Sequence, residues 1–203
     1  MTSKKLHQGS EIPDFWLPDI NGVILPKDKL IGASAILITF ICNHCNYVKH
    51  IRSKLVEIIK EYQQFGVAAI AINSNDIEKV PDDSPDRMKQ DALKYGYTFP
   101  YLFDGTQEVA RLFKVSCTPD FFVFNKEGKL FYHGQMDNSR PGNDCPVTGK
   151  DLMFALDGAL KNKPPASNQK PSNGSSIVWR NTQTDYFINI LAHISQTDKS
   201  SVI

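Results

Sequence analysis

The feature that most constrains the fold is a pair of cysteines, Cys42 and Cys45, between a predicted strand and a predicted helix. Residues 35–41 form a β-branched and aromatic run, which is typical of a buried strand. After the pair, apolar residues recur at intervals of three and four, which predicts a long amphipathic helix. Residues 67–72 are apolar throughout, as expected for a strand covered on both faces. Residues 35–72 therefore predict a strand, a helix and a second, parallel strand, the repeating unit of an α/β protein. The apolar face of the helix is formed by Val48, Ile51, Leu55, Ile58, Ile59 and Tyr62, with Lys49, Arg52, Glu57 and Lys60 opposite.

The rest of the chain predicts more strands and helices of the same kind of domain. Turn residues such as Asn21-Gly22 separate short apolar runs and predict hairpins. Ser84-Pro85 is a typical helix start, and Gly96 a typical helix end. The predicted elements are a hairpin at 15–25, a helix at 84–96, a strand at 101–103, a helix from Thr106 to Phe113, a hairpin formed by 121–124 and 130–133, and a last core helix that begins at Thr148.

Length and composition predict one domain with a tail. A chain of 203 residues is expected to hold one sizeable core. We assign residues 1–161 to this domain. Residues 162–203 start with a stretch rich in Pro, Ser, Asn and Gln, which buries too little apolar surface to fold alone. This tail is predicted to lie extended and docked on the domain, with a short terminal helix carrying Phe187, Leu191 and Ile194.

Charge and hydropathy limit the partners of this chain. There are 23 Lys and Arg against 22 Asp and Glu, a net charge of +1, which argues against nucleic acid or an anionic membrane surface as a partner. The first residues lack the apolar segment of a secretion signal, and the most apolar run is too short to span a membrane. We expect a cytoplasmic protein, with no membrane association. The four cysteines are too few for a disulfide scaffold in a chain of this length.

The cysteine pair predicts thiol chemistry. A thiol at the start of a helix is expected to be acidic, because the helix dipole stabilises a thiolate. Cys42 is the predicted nucleophile, and Cys45 is placed to attack a mixed disulfide on Cys42. His44 is expected to lower the pKa of Cys42. A structural zinc site would need a second close pair of ligands, and haem attachment would need histidine where Asn46 stands. No cofactor and no metal is predicted.

A second motif, Cys117-Thr118-Pro119 ahead of a hairpin, makes the chain similar to the thioredoxin fold. The resemblance implies a central mixed β-sheet flanked by helices, with Pro119 in cis against the cysteine pair. It also implies that Thr118 pairs with an extended substrate strand, so that Thr118 and Pro119 position the substrate. Ile36 stands where thioredoxins keep a buried acid.

The chain also resembles the peroxiredoxin-like AhpC/TSA branch of this superfamily, here with a Cys-Asn-His-Cys motif. The amino-terminal hairpin, the helix inserted at 84–96 and Thr39 before Cys42 carry that likeness. It implies a thiol peroxidase as an alternative, with Cys42 peroxidatic and Cys45 resolving. The family's arginine beside the thiolate is missing, unless Arg140 reaches the site. Further similar segments are 134–137, 139–144, 146–151, 170–172 and 176–179.

The sequence favours a thiol-disulfide oxidoreductase, with antioxidant activity as a second predicted activity. Its expected partners are protein or small-molecule disulfides, peroxides in the alternative, and an electron donor of the thioredoxin or glutathione type. Cys117 is an accessory candidate through its place beside Pro119, and Cys117 with Cys145 is a candidate second redox couple. The plainer interpretation is that Cys117 is a small buried side chain and Cys145 an incidental loop thiol. An alternative of another class is a copper(I)-binding module that uses the pair and a distal histidine such as His133.

Overall fold

The computed structural model describes residues 6–180, and a five-stranded mixed sheet is its centre. The strand order is β5-β4-β3-β7-β8. β3 pairs in parallel with β4 and antiparallel with β7, so it lies at the middle of the sheet. The predicted α/β class and the mixed sheet are confirmed. The strands are β1 (Trp16–Pro18), β2 (Ile24–Pro26), β3 (Ala35–Phe40), β4 (Val67–Asn73), β5 (Tyr101–Phe103), β6 (Cys117–Thr118), β7 (Asp120–Asn125), β8 (Leu130–Gly134) and β9 (Ser175–Ser176).

Helices cover both faces of the sheet. They are α1 (Asn46–Gln63), α2 (Pro85–Tyr95), α3 (Glu108–Phe113) and α4 (Lys150–Leu160), with short 3-10 helices at Lys27–Leu30 and Pro81–Asp83. Alternate residues of β3 serve the two faces, since successive side chains of a strand point in opposite directions. Leu37 packs in the cluster that includes α1 and α4, whereas Ile36 and Ile38 pack with Phe113 of α3. Every residue of β3 is buried, which explains its continuous apolar run.

The hairpins and helices lie close to their predicted places, with local differences. β1 pairs antiparallel with β2, and β7 with β8, as predicted. The last helix has Gly149 rather than Thr148 as its N-cap, because Gly149 takes the left-handed conformation there with φ of 69°. Arg52, expected on the polar face of α1, is buried instead. It donates to Asp91 of α2 at 3.0 Å and to the carbonyl of Asn43 at 3.3 Å, so α2 covers it.

The start of the tail lies against the domain. β9 pairs antiparallel with β6, and Ile177 is buried. The terminal helix predicted around Phe187, Leu191 and Ile194 lies outside the described residues. Within residues 6–180, no helix has both the length and the apolar character needed to cross a membrane.

Candidate active site

The central strand and the helix that follows it position the cysteine pair. β3 ends at Phe40, and α1 begins only at Asn46, so Cys45 is the N-cap of the helix and Cys42 lies before it. Both side chains are buried, each about 1% exposed. All four cysteines are free, so the structure describes the reduced form of the pair. The helix start thus favours the second thiol, not the first as the sequence predicted.

The peptide bond between Thr118 and Pro119 is cis, as the resemblance implied. Thr118 contacts both thiols. Its hydroxyl oxygen lies 3.2 Å from Cys42 Sγ, and its carbonyl oxygen lies 3.2 Å from Cys45 Sγ. The segment that carries Cys117, Thr118 and Pro119 therefore packs directly on the pair.

Cys45 has donor groups around its sulfur. Ser175 Oγ of the tail lies 3.2 Å from Cys45 Sγ. Hydrogen bonding from the Cys42 thiol, with help from the Ser175 hydroxyl and the Val48 N–H, outweighs burial and lowers the pKa of Cys45 to about 4. Protonated, Cys45 donates to the carbonyl of Thr118; ionised, it accepts from Cys42 and Ser175.

The pKa of Cys42 is shifted in the opposite direction. Its pKa is raised, first because its S–H donates to Cys45, then by burial and by the Asp83 carboxylate. Its sulfur lies 3.5 Å from His44 Nδ1. This direction runs against the expectation that Cys42 is the more acidic thiol, which stays a prediction. The causes are the hydrogen bond to Cys45, burial and then the Asp83 carboxylate, which also engages the imidazole because His44 Nδ1 lies 2.6 Å from Asp83 Oδ2.

Asp83 is a buried carboxylate that organises the loop of the motif. One oxygen accepts from the backbone N–H groups of Asn43 and His44, at 2.7 and 3.1 Å. The other lies 2.6 Å from His44 Nδ1 and accepts from Asn75 Nδ2 at 2.8 Å. Four partners thus satisfy the carboxylate, as a buried charge requires. Because the carboxylate only accepts, His44 Nδ1 carries a hydrogen toward it.

Sequence reasoning missed Asp83 and Asn75, and it assigned no contact with the cysteine pair to Ser175. Asn75 follows β4, and the carboxyl ends of the parallel strands β3 and β4 meet at one edge of the sheet. The polar residues directly after β4 therefore indicate side chains that lie near the Cys42 loop. No local pattern links Asp83 or Ser175 to the pair, because they lie 39 residues after His44 and 130 residues after Cys45.

Three further candidates contact groups other than the two thiols. The Thr39 hydroxyl donates to the carbonyl of Asp120 at 3.1 Å. The Arg140 guanidinium donates to Gln135 and to the carbonyls of Asp137 and Ser139 within its own loop. The structure therefore does not give Arg140 the place beside Cys42 that a peroxidase would need. Cys145 is exposed on that loop.

Cys117 and His133 belong to a separate cavity that Asp120 also lines. Burial, followed by the Asp120 carboxylate, raises the pKa of Cys117 to about 11, so this thiol is not activated. His133 Nε2 lies 3.0 Å from Asp120, and its ring stacks on Phe122 with centroids 4.0 Å apart. His133 is thus held by Asp120 and is not the distal ligand that the copper alternative requires.

Potential metal ligands do come together at the pair. Within the described part of the chain, Cys42, His44 and Asp83 have ligand atoms within 4.8 Å of one another. However, both oxygens of Asp83 already accept hydrogen bonds, and His44 Nδ1 faces one of them. The geometry is that of a hydrogen-bonded thiol site.

Comparisons with known proteins identify the family of this chain. The sequence model of the AhpC/TSA family matches residues 8–133, so the chain belongs to the AhpC/TSA family. The chain is 26% identical over 127 residues to the thiol-disulfide oxidoreductase ResA of Bacillus subtilis. That match spans 63% of this chain and 66% of the relative, less than two thirds of the relative's length.

Solved structures define the fold. A hypothetical protein from Sinorhizobium meliloti superposes with a TM-score of 0.85 at 41% identity, over 88% of this chain and 98% of the other. A thiol:disulfide interchange protein of the thioredoxin family from Chlorobium tepidum gives a TM-score of 0.59 at 17% identity, over 76% of this chain and 98% of the other. The thioredoxin-like fold predicted from the sequence is confirmed.

Proposed function

We propose that this protein is a thiol-disulfide oxidoreductase that acts through Cys42 and Cys45. The observation that carries the proposal is the contact between the two free thiols, at the start of α1 and against the cis Thr118-Pro119 peptide. The similarity to a relative named thiol-disulfide oxidoreductase supports the same activity. Two thiols in contact can form a disulfide and so pass two electrons to a substrate.

The proposed reaction begins at Cys42. Its sulfur adjoins His44, whose side chain is 29% exposed, whereas Cys45 lies beneath Ser175. The pair loses one of its two protons readily and keeps the other between the two sulfurs, so the thiols titrate as a unit. Transfer of the remaining proton from Cys42 to Cys45 makes Cys42 the thiolate. Cys42 attacks one sulfur of a substrate disulfide and expels the other as a thiolate.

Cys45 completes the exchange. After loss of its proton, it attacks the sulfur of Cys42 in the mixed disulfide. The products are a Cys42–Cys45 disulfide and a second substrate thiolate, so the substrate gains two electrons and the protein loses them. An external dithiol or glutathione returns the protein to its reduced form. The identity of that donor and the cytoplasmic location remain predictions.

The test is turnover of a protein disulfide such as that of insulin. Cys42→Ser is expected to abolish turnover, and Cys45→Ser to accumulate a mixed disulfide on Cys42. Cys145→Ser is the matched control, because Cys145 is exposed on a loop and its removal is expected to leave turnover unchanged. Retained turnover in Cys42→Ser would contradict the proposal.

The same preparations separate the alternatives. A peroxidase would form a sulfenic acid on Cys42 with hydrogen peroxide much faster than a free thiol does. The position of Arg140 predicts that it will not. A copper(I) module would retain metal when the protein is prepared without added metal, and metal analysis decides that case.

A further inference from the structure

The tail occupies the edge that a substrate strand would use. We call residues 172–180 the strap. Its strand β9 pairs antiparallel with β6, with Thr118 opposite Ser175 and Cys117 opposite Ser176. The pairing continues beyond the strand, since the N–H of Ile177 donates to the carbonyl of Ser116 at 3.1 Å. The backbone of Thr118 is therefore already engaged by the chain itself.

The strap also covers Cys45. Ser175 Oγ lies 3.2 Å from Cys45 Sγ. Gly174 packs so closely on Thr118 that a Cβ at this position would overlap the Thr118 carbonyl. Cys42 and Cys45 are each about 1% exposed. An extended polypeptide cannot pair with Thr118 while these contacts persist.

The contacts that hold the strap are mostly hydrogen bonds, which other polar groups can replace when the strap leaves. Val178 is held by Asn75, which accepts from its N–H at 2.8 Å, and by Gln107, which donates to its carbonyl at 2.9 Å. Trp179 lies under the Arg111 guanidinium at 4.5 Å. Few apolar side chains anchor the strap; Ile177 is the one that is fully buried among residues 172–180. Segments with few buried apolar contacts open locally at low free-energy cost.

We propose that the strap determines which disulfides the pair exchanges with, and this inference rests on the proposed function. Docked, the strap mimics a substrate strand and bars extended polypeptides from Thr118. A small disulfide needs only the sulfur of Cys42, which adjoins the partly exposed His44, and not the backbone edge of β6. A protein disulfide reacts after the strap leaves that edge and the substrate backbone replaces β9.

Gly174→Ala weakens the docked strap without altering a thiol, because its new methyl group meets the Thr118 carbonyl. If the open state is populated at roughly a tenth or less, full opening raises the rate with a protein disulfide about tenfold or more. The rate with a small disulfide such as oxidised cysteamine should change much less. Ser176→Ala is the matched control, since the Ser176 side chain is exposed and the backbone pairing is kept. Loss of amide protection at residues 174–178 without a change in the rate ratio would overturn the inference.

A direct experiment uses the native strap sequence. Cys45→Ser protein is trapped through Cys42 as a mixed disulfide either with an extended cysteine-containing peptide or with cysteamine. Hydrogen exchange is then followed at Ile177 and Val178, whose N–H groups bond to Ser116 and Asn75.

The two adducts should differ. The peptide adduct should exchange these amides at least about tenfold faster than the cysteamine adduct, because the peptide displaces the strap. Equal protection in both adducts would show that the strap stays docked and would overturn the inference. If neither adduct forms, the proposed function itself fails and this inference falls with it.

Discussion

The surroundings of Cys42 and Cys45 differ in charge, although the two residues are three positions apart. Cys45 faces groups that can donate to a thiolate, namely the Cys42 thiol, the Ser175 hydroxyl and the first turn of α1. Cys42 lies on the side of Asp83, whose carboxylate opposes a second negative charge. These surroundings therefore favour the negative charge of the reduced pair on Cys45 and its proton on Cys42. A thiolate is placed by the donors and charges around it, not by its order in the motif.

This difference also separates two parts of the chain that build the site. The segment that connects β4 to α2 supplies Asn75 and Asp83 to the Cys42 side. The tail supplies Ser175 to the Cys45 side. The Asn75 side chain joins the two parts, since its amide donates to Asp83 and its carbonyl accepts from Val178 of the strap. Movement of the strap can therefore change the hydrogen bonds around both Cys42 and Cys45.

The largest expected effect is the ionisation of one thiol at a pH far below that of an ordinary cysteine. At about pH 6 an ordinary thiol with a pKa near 8.5 is only ~0.3% thiolate, whereas the pKa of Cys45 is lowered to about 4. The thiolate absorbance of reduced protein should show one ionised cysteine down to about this pH, and Cys45→Ser should remove that early step. Cys117→Ser should not, because the pKa of Cys117 is raised to about 11. A first thiolate that forms only above about pH 8 would contradict the comparison.

The same ionisation predicts how stability depends on pH. The unfolded chain keeps the Cys45 proton up to the ordinary pKa of a cysteine thiol, about 8.5, and the folded chain loses it at about 4. Between these pH values the unfolded state binds more protons, so the reduced protein gains stability as pH rises. The gain is complete above the unfolded pKa and is lost as pH falls through about 4. Urea unfolding of reduced wild type and Cys45→Ser across this range measures the difference.

Removal of Asp83 should disrupt the Cys42 side. Asp83→Ala leaves the buried donors of Asn43 and Asn75 and the partly buried donor of His44 without an acceptor, which is expected to cost about 3 kcal/mol of unfolding free energy. It also removes a charge that raises the pKa of Cys42. Urea unfolding gives the first effect and thiol titration the second. Asp82→Ala, at the exposed neighbouring position, should stay within about 0.5 kcal/mol of wild type. Equal stability of the two variants would exclude the proposed role of Asp83.

A smaller effect is expected on the Cys45 side from Ser175→Ala. Loss of the hydroxyl at 3.2 Å from the sulfur should make Cys45 about tenfold less acidic, since a hydrogen bond to a charged group is worth about 1.5 kcal/mol or more. Because the reduced form is then less stabilised, the reduction potential should fall by roughly 30 mV. Equilibration with glutathione measures this potential. Ser176→Ala should leave it unchanged, and a matching fall in that control would mean that the strap, not the hydroxyl, is responsible.

The smallest effect is expected from Thr118→Val, which removes the hydroxyl 3.2 Å from Cys42 Sγ and keeps the carbonyl that contacts Cys45. In the Cys45→Ser background, alkylation of Cys42 should slow about fivefold, the value of one hydrogen bond of about 1 kcal/mol. Thr106→Val, on the loop before α3, is the control. An unchanged rate for Thr118→Val would show that its hydroxyl does not stabilise the Cys42 thiolate.

Much of the fold follows from short stretches of sequence. The apolar runs of β3 and β4 and the periodic apolar face of α1 predicted a parallel strand–helix–strand unit, because burial on both faces or on one face leaves a local pattern. Arg52 breaks this rule. It is charged yet buried, because Asp91 of another helix pairs with it, and the pattern of α1 alone could not show that partner.

The sequence by itself determined the α/β class, the position of Cys42 and Cys45 between strand and helix, and the candidate chemistry of the pair. Only the tertiary structure decided which groups surround each thiol and what covers Cys45. The physical reason is that hydrogen bonding and charge act over a few ångströms, whereas Asp83 and Ser175 are 39 residues from His44 and 130 residues from Cys45 along the chain. Local patterns predict the strands and helices, but contacts between distant segments set the environment in which the cysteines react.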